Sequence, residues 1–181
     1  MLHMALPRTF VGFSSTDIAS YRLMCAWKAH ENIDFDFCDC QLQTAINSEN
    51  EAYIKNRCRE RLQMAGTYVL LIGADTAYKE KFVLWEAEVA IEKKCRLIGV
   101  NLDKWRVLNP ARCPSMFQAV DAVFVPFSPP ILAWALEKWT PPFPNSRNWY
   151  FFEDWVYQRL GYVFAGNSAI RPPKPPPWSP V

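Results

Sequence analysis

One carboxylate in this chain stands where a helix should be apolar. In Phe82-Val-Leu-Trp-Glu-Ala-Glu-Val-Ala-Ile-Glu92, projection at about 100° per residue gathers Phe82, Val83, Val89 and Ala90 into one apolar sector. Glu88 and Glu92 share the polar side, as surface acids do, whereas Glu86 falls inside the sector, between Phe82 and Ala90. A carboxylate facing a core without a partner is costly, so this one requires a partner, a proton or a cavity. In a cavity it becomes a reagent, strongest against positive charge developing beside it. On pattern alone, a structural acid held by backbone donors or an arginine is an equal reading.

The elements around that helix decide what Glu86 can meet. Thr9 to Phe13 reads as a buried strand that stops at Ser14-Ser15-Thr16-Asp17, a run of cap and turn formers, and Ile18 to His30 carries helical spacing. Ile33 to Cys38 reads as a second strand, Tyr68 to Ile72 as a third ended by Gly73, Cys95 to Leu102 as a fourth and Ala122 to Val125 as a fifth. A charged helix is expected from Glu51 to Met64, a short one from Pro130 to Lys138 and an aromatic one from Trp149 to Leu160. A purely apolar strand such as Tyr68-Val-Leu-Leu-Ile72 is buried on both faces, the mark of a parallel sheet covered by helices. The expected fold is therefore α/β: an open, mostly parallel five-stranded sheet flanked by helices, over residues 8–139. Residues 140–181 are expected to form an extension holding the aromatic helix and a proline-rich tail from Arg171 to Pro180, extended as polyproline II.

Ligands of open α/β sheets collect at the carboxyl ends of the strands. Here those ends read Phe13-Ser14-Ser15-Thr16-Asp17, Cys38-Asp39-Cys40, Gly73-Ala74-Asp75-Thr76 and Asn101-Leu102-Asp103, a rim of hydroxyls and carboxylates suited to a ribose or a phosphate. Glu86, about one turn into the helix that follows the third strand, can reach it. Taken singly, Ser14 and Ser15 read as helix caps and Asp39 and Asp75 as turn residues; only their convergence favours a site.

Composition narrows the field. A formal charge of +2 argues for neither nucleic acid nor an anionic membrane. No apolar run is long enough to span a bilayer, and Met1 to Thr9 lacks the basic start of a secretory signal. The six cysteines, several within apolar segments, are therefore expected to be reduced thiols in a cytoplasm. Gly12 and Gly73 stand alone, so no glycine-rich phosphate loop is present, nor a Gly-x-Ser-x-Gly elbow. His3 and His30 lie near no promising acid, and Cys38 with Cys40 lack the further ligands of a tetrahedral site, so neither a catalytic triad nor a bound metal is expected.

The ordered set of segments resembles a known family. Arg8-Thr-Phe-Val-Gly-Phe-Ser-Ser-Thr-Asp-Ile18 is similar to the opening strand and first loop of TIR-like domains, a branch of the flavodoxin-like architecture, and Tyr68 to Thr76 to their third strand. Phe82-Val-Leu-Trp-Glu-Ala87 resembles the helix in which an aromatic residue, usually Trp, precedes a glutamate by four positions, and Leu97 to Asn101 the fourth strand. Among TIR-like domains the chain is similar to the small proteins of bacterial Thoeris antiphage defence. The resemblance spans roughly residues 8–126, with Phe82 in place of the usual Trp and no counterpart for the region from Trp149 onward.

The resemblance implies cleavage of the nicotinamide–ribose bond of NAD+, as substrate and with no resident cofactor. It further implies an ADP-ribose-derived signal, cyclic by expectation, that diffuses to a separate effector after a phage-derived trigger. By motif position Glu86 matches the catalytic glutamate, Phe82 the aromatic before it, and Phe13 with Ser14 the first-loop contacts. Ser15, Asp39, Asp75 and Thr76 join them as substrate-binding candidates from the rim, with Phe13 or Phe82 available to stack on a planar base. The alternative is a non-catalytic TIR-like interaction module that self-assembles through its rim, with Trp85 and Trp105 as contacts. A receiver-like phosphoacceptor lacks its acidic pair, because the first strand ends in Phe13-Ser14 and the third in Gly73. A nucleoside deoxyribosyltransferase would also set a glutamate against an anomeric carbon.

Overall fold

A computed structural model describes residues 8–28, 52, 56, 59, 60, 62–78, 81–142 and 146–163, the side chains of 28, 81 and 82 excepted. Within them a five-stranded sheet runs in the order β1 (Thr9–Gly12), β2 (Thr67–Ile72), β3 (Arg96–Asn101), β4 (Ala122–Pro126) and β5 (Trp149–Tyr150), every neighbouring pair parallel. β1, β2 and β4 are buried throughout, so both faces carry apolar side chains and the sequence shows runs instead of alternation. The expected strand Ile33 to Cys38, most of the expected helix from Glu51, and the proline tail lie outside the described residues.

Alternate residues of each strand sort onto two layers. Val11, Val69, Leu71, Ile98, Val100, Val123 and Val125 face α1 (Ile18–Lys28) and a later helix, α4 (Pro129–Lys138), through Tyr21, Met24, Ile131, Leu132, Ala135 and Leu136. Phe10, Tyr68, Leu70, Ile72, Leu97 and Phe124 face α2 (Lys81–Glu92), and Phe117 of the short α3 (Ser115–Gln118) closes that layer. α2 and α4 lie on opposite faces although each links a strand to its neighbour in the same direction along the sheet. The β4–β5 crossover thus has the opposite hand to the β2–β3 crossover, a departure from the usual single handedness.

Trp149 and Tyr150 do not open a helix as the sequence implies. They pair with Ala122 and Val123 as an edge strand, and the helix that follows, α5 (Asp154–Arg159), begins four residues later. Tyr150, Phe152, Val156 and Tyr157 bury in the α1–α4 layer, so part of the expected extension shares the core of the sheet. Two polar clamps fix it. Asp121 accepts hydrogen bonds from the Ser146 hydroxyl and the backbone N–H groups of Ser146 and Asn148. Arg106 lies 3.7 Å from the Tyr157 ring centroid and pairs with Asp154. No helix among the described residues is long and apolar enough to cross a membrane.

Candidate functional site

Five of the rim residues, Ser14, Thr16, Asp17, Asp75 and Thr76, converge at the carboxyl ends of β1 and β2. After Gly12 the chain passes through Phe13 and the fully buried Ser14 into a 3₁₀ turn, Ser15–Asp17, that runs directly into α1. The Ser14 side chain does not cap that turn; its Oγ lies 3.0 Å from Thr16 Oγ1. The Thr16 hydroxyl donates to Asp75 at 2.9 and 3.0 Å from the two carboxylate oxygens. Thr16 has one hydroxyl proton and gives it to Asp75, so Ser14 is the donor in the first contact. A directed chain Ser14→Thr16→Asp75 therefore joins the exits of two adjacent strands.

The turn after β2 is built to admit it. The Gly73 N–H donates to Thr76 Oγ1 at 2.8 Å, which commits the buried Thr76 hydroxyl to closing the turn. Gly73 is glycine for a steric reason. A Cβ placed there would lie 2.2 and 2.4 Å from the carboxylate oxygens of Asp17, which occupies that space. Asp17 and Asp75 thus bring two acids to the same strand end.

Glu86 approaches from the α2 layer. The buried side of α2 comprises Val83, Ala87, Val89 and Ala90, and at helical spacing Glu86 falls within that arc. It is half-buried, and the missing side chain of Gly12 gives it room: a Cβ on Gly12 would lie 3.2 Å from Glu86 Oε2. The same Cβ would lie 2.1 Å from Tyr68 Oη. The carboxylate therefore reaches the last residue of β1, on the opposite face of the sheet from Val11. Outward on the polar flank, Glu92 pairs with Arg59 at 3.3 Å.

The other candidates fall differently. The half-buried Phe13 stacks on Tyr21, ring centroids 4.5 Å apart and planes 17° from parallel, which occupies one face of its ring. Ser15 is exposed at the start of the 3₁₀ turn. Phe82 lies on α2 one turn before Glu86, but its side chain is outside the described residues, as is Asp39. The rim at β3 organises its own loop: Asn101 Nδ2 donates to the carbonyls of Trp105 and Val107 at 2.9 and 2.8 Å. Asp103 accepts from Asn109 at 2.8 Å and pairs with Arg112 at 3.5 Å. No group of three or more His, Cys, Asp or Glu residues among those described is placed to hold a metal.

Sequence reasoning did not single out Gly12 or Tyr68 as site residues. A glycine ending an otherwise apolar strand is the available signal, since it marks a close approach of some other group.

The fold and this rim define an open parallel α/β domain of the TIR-like class. A family model for the TIR-like domain of Thoeris protein ThsB matches residues 10–106, more than half of the chain, and the chain belongs to that family. The match includes all of β1 but its first residue, together with β2, α2 and β3, and with them Ser14, Thr16, Asp75 and Glu86. Comparison with curated proteins found no significant match.

Proposed function

We propose that this protein cleaves the nicotinamide–ribose bond of NAD+ and forms an ADP-ribose-derived signal for a separate antiphage effector. The observation that carries the reading is the half-buried Glu86 carboxylate at the carboxyl end of β1, beside a strand exit rich in hydroxyls and acids. Membership of the Thoeris TIR-like family supports it.

In this reaction the C1′–N bond breaks and its electron pair leaves with the pyridinium nitrogen, so nicotinamide departs neutral. The ribose is left with oxocarbenium character. Glu86, screened by its apolar neighbours, opposes that charge more strongly than an exposed carboxylate would. Ser14, Thr16 and Asp75 supply donors and acceptors for ribose hydroxyls. Water attacking C1′ and losing a proton gives linear ADP-ribose, whereas attack by a base nitrogen or hydroxyl of the same molecule gives a cyclic isomer. A site that excludes solvent favours the second.

The test is incubation of the purified full chain with NAD+, alone and with lysate from phage-infected cells, followed by mass analysis. Free nicotinamide with an equimolar ADP-ribose species is expected in at least the triggered sample. Intact NAD+ in both, with the chain folded and self-associating, would favour an interaction module.

A further inference from the structure

The turn that leaves β2 is fixed along its whole length. The bond from the Gly73 N–H to Thr76 Oγ1 closes its start, and Thr16 holds its middle through the Asp75 carboxylate. At its end the Tyr78 N–H donates to the Asp75 carbonyl at 2.9 Å. On this base Tyr78 carries its ring outward. The residue is 80% exposed, the most exposed aromatic among those described, and no other ring among them stacks on it. Phe13 differs, since Tyr21 already covers one of its faces. Tyr78 lies at the carboxyl end of β2, between Asp75 and the start of α2, the helix that carries Glu86. From Lys81 to Glu86 the helical rise alone is about 7.5 Å, and Tyr78 precedes Lys81 by three residues. The ring stands at the rim, apart from the carboxylate.

We propose that Tyr78 binds the adenine of NAD+ by stacking, at the end of the substrate remote from the bond that breaks; this deepens, and rests on, the NAD+ reading above. The dinucleotide has two planar rings joined through two riboses and a diphosphate. With the nicotinamide ribose against Glu86, the adenine of an extended dinucleotide lies well away from that carboxylate. A solvent-facing phenol on a fixed turn offers it a whole ring face. Stacking uses the ring and not the hydroxyl, so phenylalanine can replace tyrosine in this role. A contact so far from C1′ is equally strong before and during bond cleavage. It contributes to substrate binding and not to the chemical step.

The experiment compares the full-length wild type with Tyr78→Ala and Tyr78→Phe, both expected to keep the wild-type Tm because the ring is exposed. Calorimetric titration with AMP and with nicotinamide mononucleotide examines the two halves of the substrate separately. Tyr78→Ala should weaken AMP binding by about tenfold, the scale of losing one base–aromatic stack, and leave nicotinamide mononucleotide unchanged. In steady-state NAD+ turnover the same variant should raise KM by a similar factor with kcat nearly constant, as for a contact that is uniform along the reaction. Tyr78→Phe should behave as the wild type in both assays. Equal AMP affinity in the wild type and Tyr78→Ala, an equal loss for both halves, or no saturable AMP binding to the wild type overturns the proposal. If the wild type binds AMP but leaves NAD+ intact, the cleavage reading fails, and the AMP comparison still decides for or against Tyr78.

Discussion

Thr16 and Asp75 are 59 positions apart in the chain and share a hydrogen bond of 2.9 Å. That contact ties the loop leaving β1 to the turn leaving β2, and through Ser14 it extends into the buried side of the rim. Thr16→Val keeps the shape and removes both contacts. Stability is expected to fall by about 1 kcal/mol, the net value of such a bond, and the KM for NAD+ to rise more than kcat falls. Chemical denaturation and steady-state kinetics check this together; an unchanged KM would make the chain Ser14→Thr16→Asp75 a structural staple only.

Gly12→Ala tests the notch from the opposite side. A methyl there would sit 2.1 Å from the Tyr68 oxygen and 2.8 Å from the ring carbon that bears it, so the ring or the strand must shift. Overpacking of this kind destabilises by about 1–3 kcal/mol. Thermal unfolding should show a lower Tm, and activity at a temperature where the variant is fully folded should fall as well. Wild-type Tm and turnover in Gly12→Ala would show that the space beside Glu86 is not filled as described.

The alkaline limit of stability should be set partly by Tyr157. Burial pushes its phenol up to about 12 from the ordinary 10.0, against the opposing pull of Arg106. The folded chain thus holds this proton more tightly than the unfolded chain. The contribution is complete below about pH 10 and is lost as pH rises toward 12, at about 1.4 kcal/mol per unit. The buried Cys113 thiol, also raised to about 12, adds the same trend from pH 9 upward. Urea midpoints measured from pH 8 to pH 11 (about three units) should therefore decline in the wild type and decline less steeply in Tyr157→Phe. Equal slopes in the two proteins would contradict the assignment.

Much of this arrangement is legible in the residues themselves. The run Tyr68 to Ile72 announces a doubly buried strand, and helical projection alone places Glu86 within the buried arc of α2. Two kinds of information are missing from such patterns. Alternation tells which face Tyr68 occupies but not how far its phenol extends, so its approach to Gly12 appears only in three dimensions. Contacts between distant segments, such as Thr16 with Asp75, leave no local periodicity. The two-residue strand at Trp149 fails for another reason: it is too short to show a period of two, and the aromatic residues around it fit a helix equally well.

In the proposed reaction the negative charge of Glu86 drives bond cleavage. The most direct measurement is nicotinamide release from NAD+ by the wild type and by Glu86→Gln, at equal folded concentration and under whichever condition activates the wild type. Glutamine keeps the shape and removes the charge. The expected result is a loss of about 10²-fold or more, the scale of deleting one preorganised electrostatic group, with the Tm nearly unchanged. Nicotinamide release by Glu86→Gln at the wild-type rate would show that the charge of Glu86 plays no part in the cleavage.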